Sequence, residues 1–282
     1  TKKQLSENEA LDAAKVVPIQ RGDDWQSELR MSDGGAAKRG SVYNVRLNLE
    51  HAPNLAGVIA LDEFAGPVVT LHDVPQLPIT GAYWSDNDSA VVRSYLEEQY
   101  GWLFSKENLF DAIVATAQAH RVNPVKQRIE AQPWDGTPRA ERYFIDYLGA
   151  EDNEYTRAVT RTWLTGAVAR VYRPGCKFEL VLILEGGQGI GKSSAARNLY
   201  PTYFNDSLGG LGRSKDDYQV LAGTWVVEIA ELAAMKQSDT EKMKNFISAQ
   251  SDTYRPSFGK FSTPHPRQCV FIGTTNQMDY LK

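Results

Sequence analysis

The feature that most limits what this chain can become is the run Gly186-Gly-Gln-Gly-Ile-Gly-Lys-Ser193. It fits G-x-x-x-x-G-K-[ST], follows the apolar stretch Phe178 to Leu184 and precedes a helical segment, Ser193 to Leu199. Glycines at 186, 187, 189 and 191 let the backbone curl so that successive N–H groups point inward. The loop then ends on a helix N-terminus with its partial positive charge. The pattern predicts a nucleotide cradle made by Gly186, Gly187, Gln188, Gly189, Ile190, Gly191, Lys192, Ser193 and Ser194. Lys192 is expected to neutralise the β and γ phosphates of the nucleotide, and the Ser193 hydroxyl to help hold Mg²⁺.

A cradle alone does not separate kinases, GTPases and motor ATPases; the residues downstream do. Asn276-Gln-Met-Asp279 lacks the lysine of a guanine-reading Asn-Lys-x-Asp, and Asp206-Ser-Leu-Gly209 falls too close to the cradle for a D-x-x-G switch, so a GTPase is disfavoured. A small-molecule kinase has no recognisable acceptor site. Trp225-Val-Val-Glu-Ile-Ala-Glu231 reads as a buried strand leading to an acid that orients Mg²⁺ or polarises an attacking water. Glu228 and Glu231 are both candidates. Residues three apart face opposite sides of an extended strand, so both reach one metal only if the strand breaks near Ile229. With Ser193, Glu231 is the expected metal ligand. Cys269 to Asn276 reads as a second buried strand, ending in an amide that offers a donor and an acceptor to a water or a γ-phosphate oxygen. The expected catalytic set is therefore Lys192, Glu228, Glu231 and Asn276.

Between acid and amide lies a basic segment. Lys236, Lys242, Lys244, Arg255, Lys260 and Arg267 outnumber Asp239, Glu241 and Asp252, whereas the whole chain carries a formal charge of −4. Tyr254, Phe258 and Phe261 are interleaved with the cations, and Pro256 and Gly259 suit a hairpin that presents cations and aromatic faces to nucleic acid. The alternative is a solvated loop whose aromatics dock on the core.

The expected fold is α/β: a parallel-sheet ATPase core with covering helices, from strands at Phe178 to Leu184, Thr224 to Ile229 and Gln268 to Gly273. A mainly helical N-terminal domain precedes it. Ser6 to Lys15, Asp86 to Gln99 and Ser105 to Ala119 have helical spacing, and strands at 57–61 and 67–71 suit a small hairpin. Helices are also expected at Arg139 to Leu148 and Glu154 to Tyr172, the latter with Val159, Trp163, Ala167 and Arg170 on one face. The expected domains are 1–130, a helical lead-in at 131–177, and the core at 178–282.

The longest uninterrupted apolar run is Leu180 to Leu184, far short of the about 20 residues that span a bilayer. Cys176 and Cys269 have no CxxC or His partner nearby, which indicates neither a disulfide framework nor a zinc site and points to a reducing cytoplasm. His51, His72, His120 and His265 lack metal-ligand spacing. The N-terminus carries no secretory signal, and the ends read as those of a fragment.

Several segments together resemble the virulence-associated protein E family of phage and genomic-island proteins, itself similar to superfamily 3 helicases of the AAA+ class. They are Gln132 to Gly136, Arg161 to Arg170, Pro174 to Lys177, Gly186 to Ser193, Glu228 to Leu232, Lys244 to Pro256, Pro266 to Cys269 and Phe271 to Asn276. The resemblance implies an ATP-driven motor in mobile-element DNA replication, built as a homo-oligomeric ring that acts on single-stranded or origin DNA. It maps Lys192 and Ser193 to the phosphate motif, Glu231 and Glu228 to the acidic motif and Asn276 to the polar sensor, and it places Lys244, Arg255 and Lys260 in a DNA-contacting hairpin. Two departures stand out. The helicases place two acids side by side, whereas Glu228 and Glu231 are three apart. Their arginine finger lies beyond the sensor, and Lys282 precedes it, so weak hydrolysis is expected. The competing reading is a nucleotide-switched protein that binds a host or phage factor without translocating on DNA.

Overall fold

The computed structural model describes residues 25–79, 81–207, 215–230, 237–255 and 261–276, and the chain divides into two units, Thr1–Gln132 and Pro133–Lys282. The helix expected over Ser6 to Lys15 lies outside the described residues, as do Glu231, Lys236, Pro256, Phe258, Gly259 and Lys260.

In the first unit, short polar side chains start each helix by taking up N–H groups that have no partner within it. Ser41 caps α1 (Val42–His51), accepting from the Asn44 N–H. Strands β1 (Ile59–Asp62) and β2 (Val68–Thr70) pair antiparallel, with Ile59 opposite Thr70. Asp62 shapes the turn between them, its carboxylate accepting from the Phe64 and Ala65 N–H groups. A reciprocal Ser85–Asp88 capping box opens α2 (Asp86–Tyr100), and Gly101 in the left-handed region closes it. Ser105 caps α3 (Lys106–Ala119). Next, β3 (Arg121–Val122) runs parallel to β1, and Asn123 caps α4 (Pro124–Glu130). The expected hairpin is thus the edge of a three-stranded mixed sheet, β2-β1-β3. Two residues are too few for β3 to show any alternation in the sequence. Val45, Leu49, Ile59, Val92, Leu96, Leu109, Ile113 and Ala117 form the core between helices and sheet.

The second unit begins with a 3₁₀ turn at Ala140–Arg142 that leads into α5 (Tyr143–Leu148), where the spacing predicts one continuous helix from Arg139. Asn153 caps α6 (Glu154–Tyr172), which matches its expected span and buries Trp163, Ala167 and Arg170. The chain continues through β4 (Val181–Glu185), α7 (Lys192–Leu199), β5 (Phe204–Asn205), α8 (Lys215–Gln219), β6 (Val226–Ile229) and α9 (Gln237–Ser248). A hairpin of β7 (Ser251–Tyr254) and β8 (Thr263–Pro266) follows, then β9 (Val270–Thr275).

Strands β4, β9, β6 and β5 form a parallel four-stranded sheet in that order. Both faces are covered, which is why its strands read as unbroken apolar runs. On one face Val226, Val270 and Ile272 meet Phe144, Trp163, Ala167 and Ala196. On the other Val227, Ile229 and Phe271 meet Leu221, Phe246 and Ile247. Two indoles are satisfied by backbone oxygens: buried Trp163 donates to Phe271 O at 2.8 Å and half-buried Trp225 to Ala167 O at 2.9 Å. Cys269 packs in the second layer, its thiol pushed up to about 11 by burial, so it behaves as a small apolar group. Among the described residues no helix is long and apolar enough to cross a membrane.

Candidate functional site

Parallel strands leave their carboxyl ends aligned on one edge of the sheet, where the connecting loops open a crevice. Here β4 delivers the glycine-rich loop to that edge, β6 delivers Glu228 and β9 delivers Thr274, Thr275 and Asn276. The loop turns on glycines at positive φ, Gly186 at 150° and Gly191 at 91°, which L side chains rarely adopt. A Cβ on Gly186 would in addition meet the Ile190 side chain at 2.6 Å. Gly191 is also the N-cap of α7, whose first residues are Lys192, Ser193 and Ser194. Gly187, Gln188, Gly189 and Ile190 are exposed on the loop, while Lys192 is buried beneath it.

Lys192 uses all three of its ammonium protons. Nζ donates to Gly186 O and Gly187 O at 2.8 Å each and to Asn276 Oδ1 at 2.9 Å. The cation therefore joins the loop to the end of β9. The second cluster is centred on Glu228, which is 3% exposed. Its Oε1 accepts from Ser193 Oγ at 2.6 Å and from Thr274 Oγ1 at 2.7 Å. Parity explains the meeting: Val226 and Glu228 on β6, and Val270, Ile272 and Thr274 on β9, point to the face that α7 covers.

The structure thus brings together Lys192, Ser193, Glu228 and Asn276, which the sequence nominates from three separate segments. Of the two candidate acids, Glu228 is the one beside Ser193; Glu231 lies outside the described residues, though β6 does end at Ile229. Thr274 is not singled out by the sequence: counting two residues along the strand puts it on the face of Ile272, but only the register, which sets Ile272 opposite Glu228, brings it to the acid. A hydroxyl and a carboxylate are hard oxygen donors of the kind Mg²⁺ takes, so Ser193 and Glu228 fit that ion.

The basic segment is taken apart by the fold. Lys244, expected on the DNA-contacting hairpin, sits instead on α9, exposed, because Met243, Phe246 and Ile247 recur at helical spacing and pack on the sheet. Arg255 is exposed at the end of β7, where its carbonyl accepts from Gln219 Nε2 at 3.2 Å. Arg267 is not a surface cation. It forms a buried bidentate pair with Asp252, Nε to Oδ2 at 2.6 Å and Nη2 to Oδ1 at 2.7 Å. The guanidinium also donates to Phe246 O and lies over the Phe246 ring, 4.6 Å from its centroid. Tyr254 is buried too and stacks on His265 with ring centroids 4.0 Å apart, while Phe261 is exposed. The hairpin itself is present as β7 and β8.

The profile of the Virulence-associated protein E-like domain matches residues 129–282. Among solved structures, an apo form of the NrS-1 C-terminal region is 11% identical with a TM-score of 0.41, over 79% of this chain and 55% of that chain. A second apo form is 16% identical with a TM-score of 0.38, over 53% of this chain and 36% of that one. The chain therefore spans little more than half of these solved chains at most. No curated protein matches it.

Proposed function

Since the chain belongs to the virulence-associated protein E-like family, we propose that its second unit is a P-loop ATPase core of the AAA+, superfamily 3 type, working on DNA in the replication of a phage or mobile element. The observation that carries this reading is the convergence at one sheet edge. Lys192 meets Asn276 and Ser193 meets Glu228, so cation, amide, hydroxyl and carboxylate lie around the mouth of a glycine-rich loop. Phosphate binding needs the first, water positioning the second, and metal ligation the last two.

In this reading the loop N–H groups and the N-terminus of α7 receive the triphosphate of ATP, and Lys192 turns from the loop carbonyls to the β and γ oxygens. Ser193 and Glu228 would hold Mg²⁺, whose charge would offset that of the phosphates. Glu228 then orients water and Asn276 reads the γ-phosphate. Exposed Lys244 and Arg255 supply phosphate-backbone contacts, with Lys260 as a further candidate, and a homo-oligomeric ring completes the site from a neighbouring subunit. Burial of Arg267 and Tyr254 removes two groups from the nucleic-acid surface, which favours the nucleotide-switched binding protein as the second reading. ATP turnover measured with and without single-stranded DNA separates the two. Stimulation that fades as salt rises supports the motor; turnover indifferent to DNA supports the switch.

A further inference from the structure

We propose that Thr274 is a positioning residue for the acid of this site, holding the Glu228 carboxylate in the orientation in which it faces the Ser193 hydroxyl. The inference rests on the reading of the site as a nucleotide and Mg²⁺ centre. Three observations carry it. The register sets Glu228 opposite Ile272, so Thr274 stands one pleat further along the neighbouring strand and on the same face. Its hydroxyl donates to Glu228 Oε1 at 2.7 Å from a position 7% exposed, where water competes little for either partner. Ser193 donates to that same oxygen, and among the described residues no hydrogen bond reaches Oε2. A glutamate side chain on a strand has three rotatable bonds. Fixing one oxygen from the adjacent strand, which ends at Thr275, removes most of that freedom and leaves the other oxygen directed by it. Thr274 touches neither phosphate nor metal in this account; it acts through Glu228.

The test uses a fluorescent ATP analogue whose binding is followed as Mg²⁺ is titrated into the chain, with EDTA controls. Thr274→Val keeps the shape and loses the donor, so the Mg²⁺ concentration for half-maximal enhancement should rise about tenfold, the size of one hydrogen bond to a charged group. Binding in EDTA should not change. Thr274→Ser restores the donor and should return the midpoint to within about twofold of the parent. Thr274→Ala, with circular dichroism melts of all variants, guards against a fault peculiar to valine. A Thr274→Val titration that superimposes on the parent, while Lys192→Ala loses nucleotide, overturns this inference alone. So does a Thr274→Ser chain that behaves like Thr274→Val, since packing and not the donor would then matter. Nucleotide binding left intact by Lys192→Ala overturns the site assignment, and this inference with it.

Discussion

The edge of the parallel sheet and the basic segment beside it were nominated by the same sequence, yet the fold treats them differently. At the edge, Lys192, Ser193, Glu228 and Asn276 arrive from three separate segments and meet within hydrogen-bond distance. In the basic segment, neighbouring cations are parted: Lys244 to a helix, Arg255 to a strand end, Arg267 to the interior. A motif tied to a strand end carries its own geometry, because the backbone fixes where its side chains emerge. A surplus of charge carries none, since tertiary packing decides which face each cation takes.

The sharpest way to break this contrast is at Arg267. If it is structural, Arg267→Ala strands the Asp252 carboxylate in the interior and costs about 3–5 kcal/mol. A thermal melt should then fall by on the order of 10 °C. Removing both charges together as Arg267→Met with Asp252→Leu should recover much of the loss. A melt unchanged by Arg267→Ala, with weakened DNA binding instead, would return the residue to the surface set.

On the other side of the comparison, Glu228→Gln should lower ATP turnover by about 100-fold or more while nucleotide affinity at saturating Mg²⁺ changes by no more than about threefold. Single-turnover hydrolysis alongside equilibrium binding measures both. Parent-like turnover would shift the acid's role to Glu231.

A smaller effect is expected from Lys244→Ala with Arg255→Ala. DNA affinity should drop several-fold for every sequence tried, and the slope of log affinity against log salt should shrink by about one per cation removed. Fluorescence anisotropy across a salt series reads this directly. An unchanged slope would leave the exposed cations without a part in binding.

The smallest effect belongs to the lead-in of the second unit, where Arg157 and Arg142 hold the exposed Asp152 carboxyl down at about 2. A depressed folded-state pKa stabilises above the unfolded value and loses that contribution as pH falls through about 2. Asp152→Asn should therefore lower the melting temperature slightly at pH 7, less in high salt, and the gap from the parent should close between about pH 4 and pH 2.

How much was legible follows the same division. Helices α2, α3 and α6 announce themselves through Ser85, Ser105 and Asn153 and through their apolar spacing, and the observed spans agree with the expected ones to within a residue. Strands β4, β6 and β9 were visible as apolar runs, but their order was not, because β9 inserts between β4 and β6 only in three dimensions. Helix α9 was hidden beneath the charges of Lys242 and Lys244, although Met243, Phe246 and Ile247 mark its packed face. The Asp252–Arg267 pair could not be read at all. Its partners lie fifteen residues apart and meet only because the hairpin folds back on itself. Thr274 looked like part of a strand-end turn until its neighbour across the sheet was known.

The most direct test of the central claim is a calorimetric titration of a hydrolysis-resistant ATP analogue with Mg²⁺ into the parent chain and into Lys192→Ala. Saturable heat at one site per chain, lost on the order of 100-fold in affinity in the variant with little change in its melt, is the predicted result. Equal heat from both chains, or none from either, would contradict it.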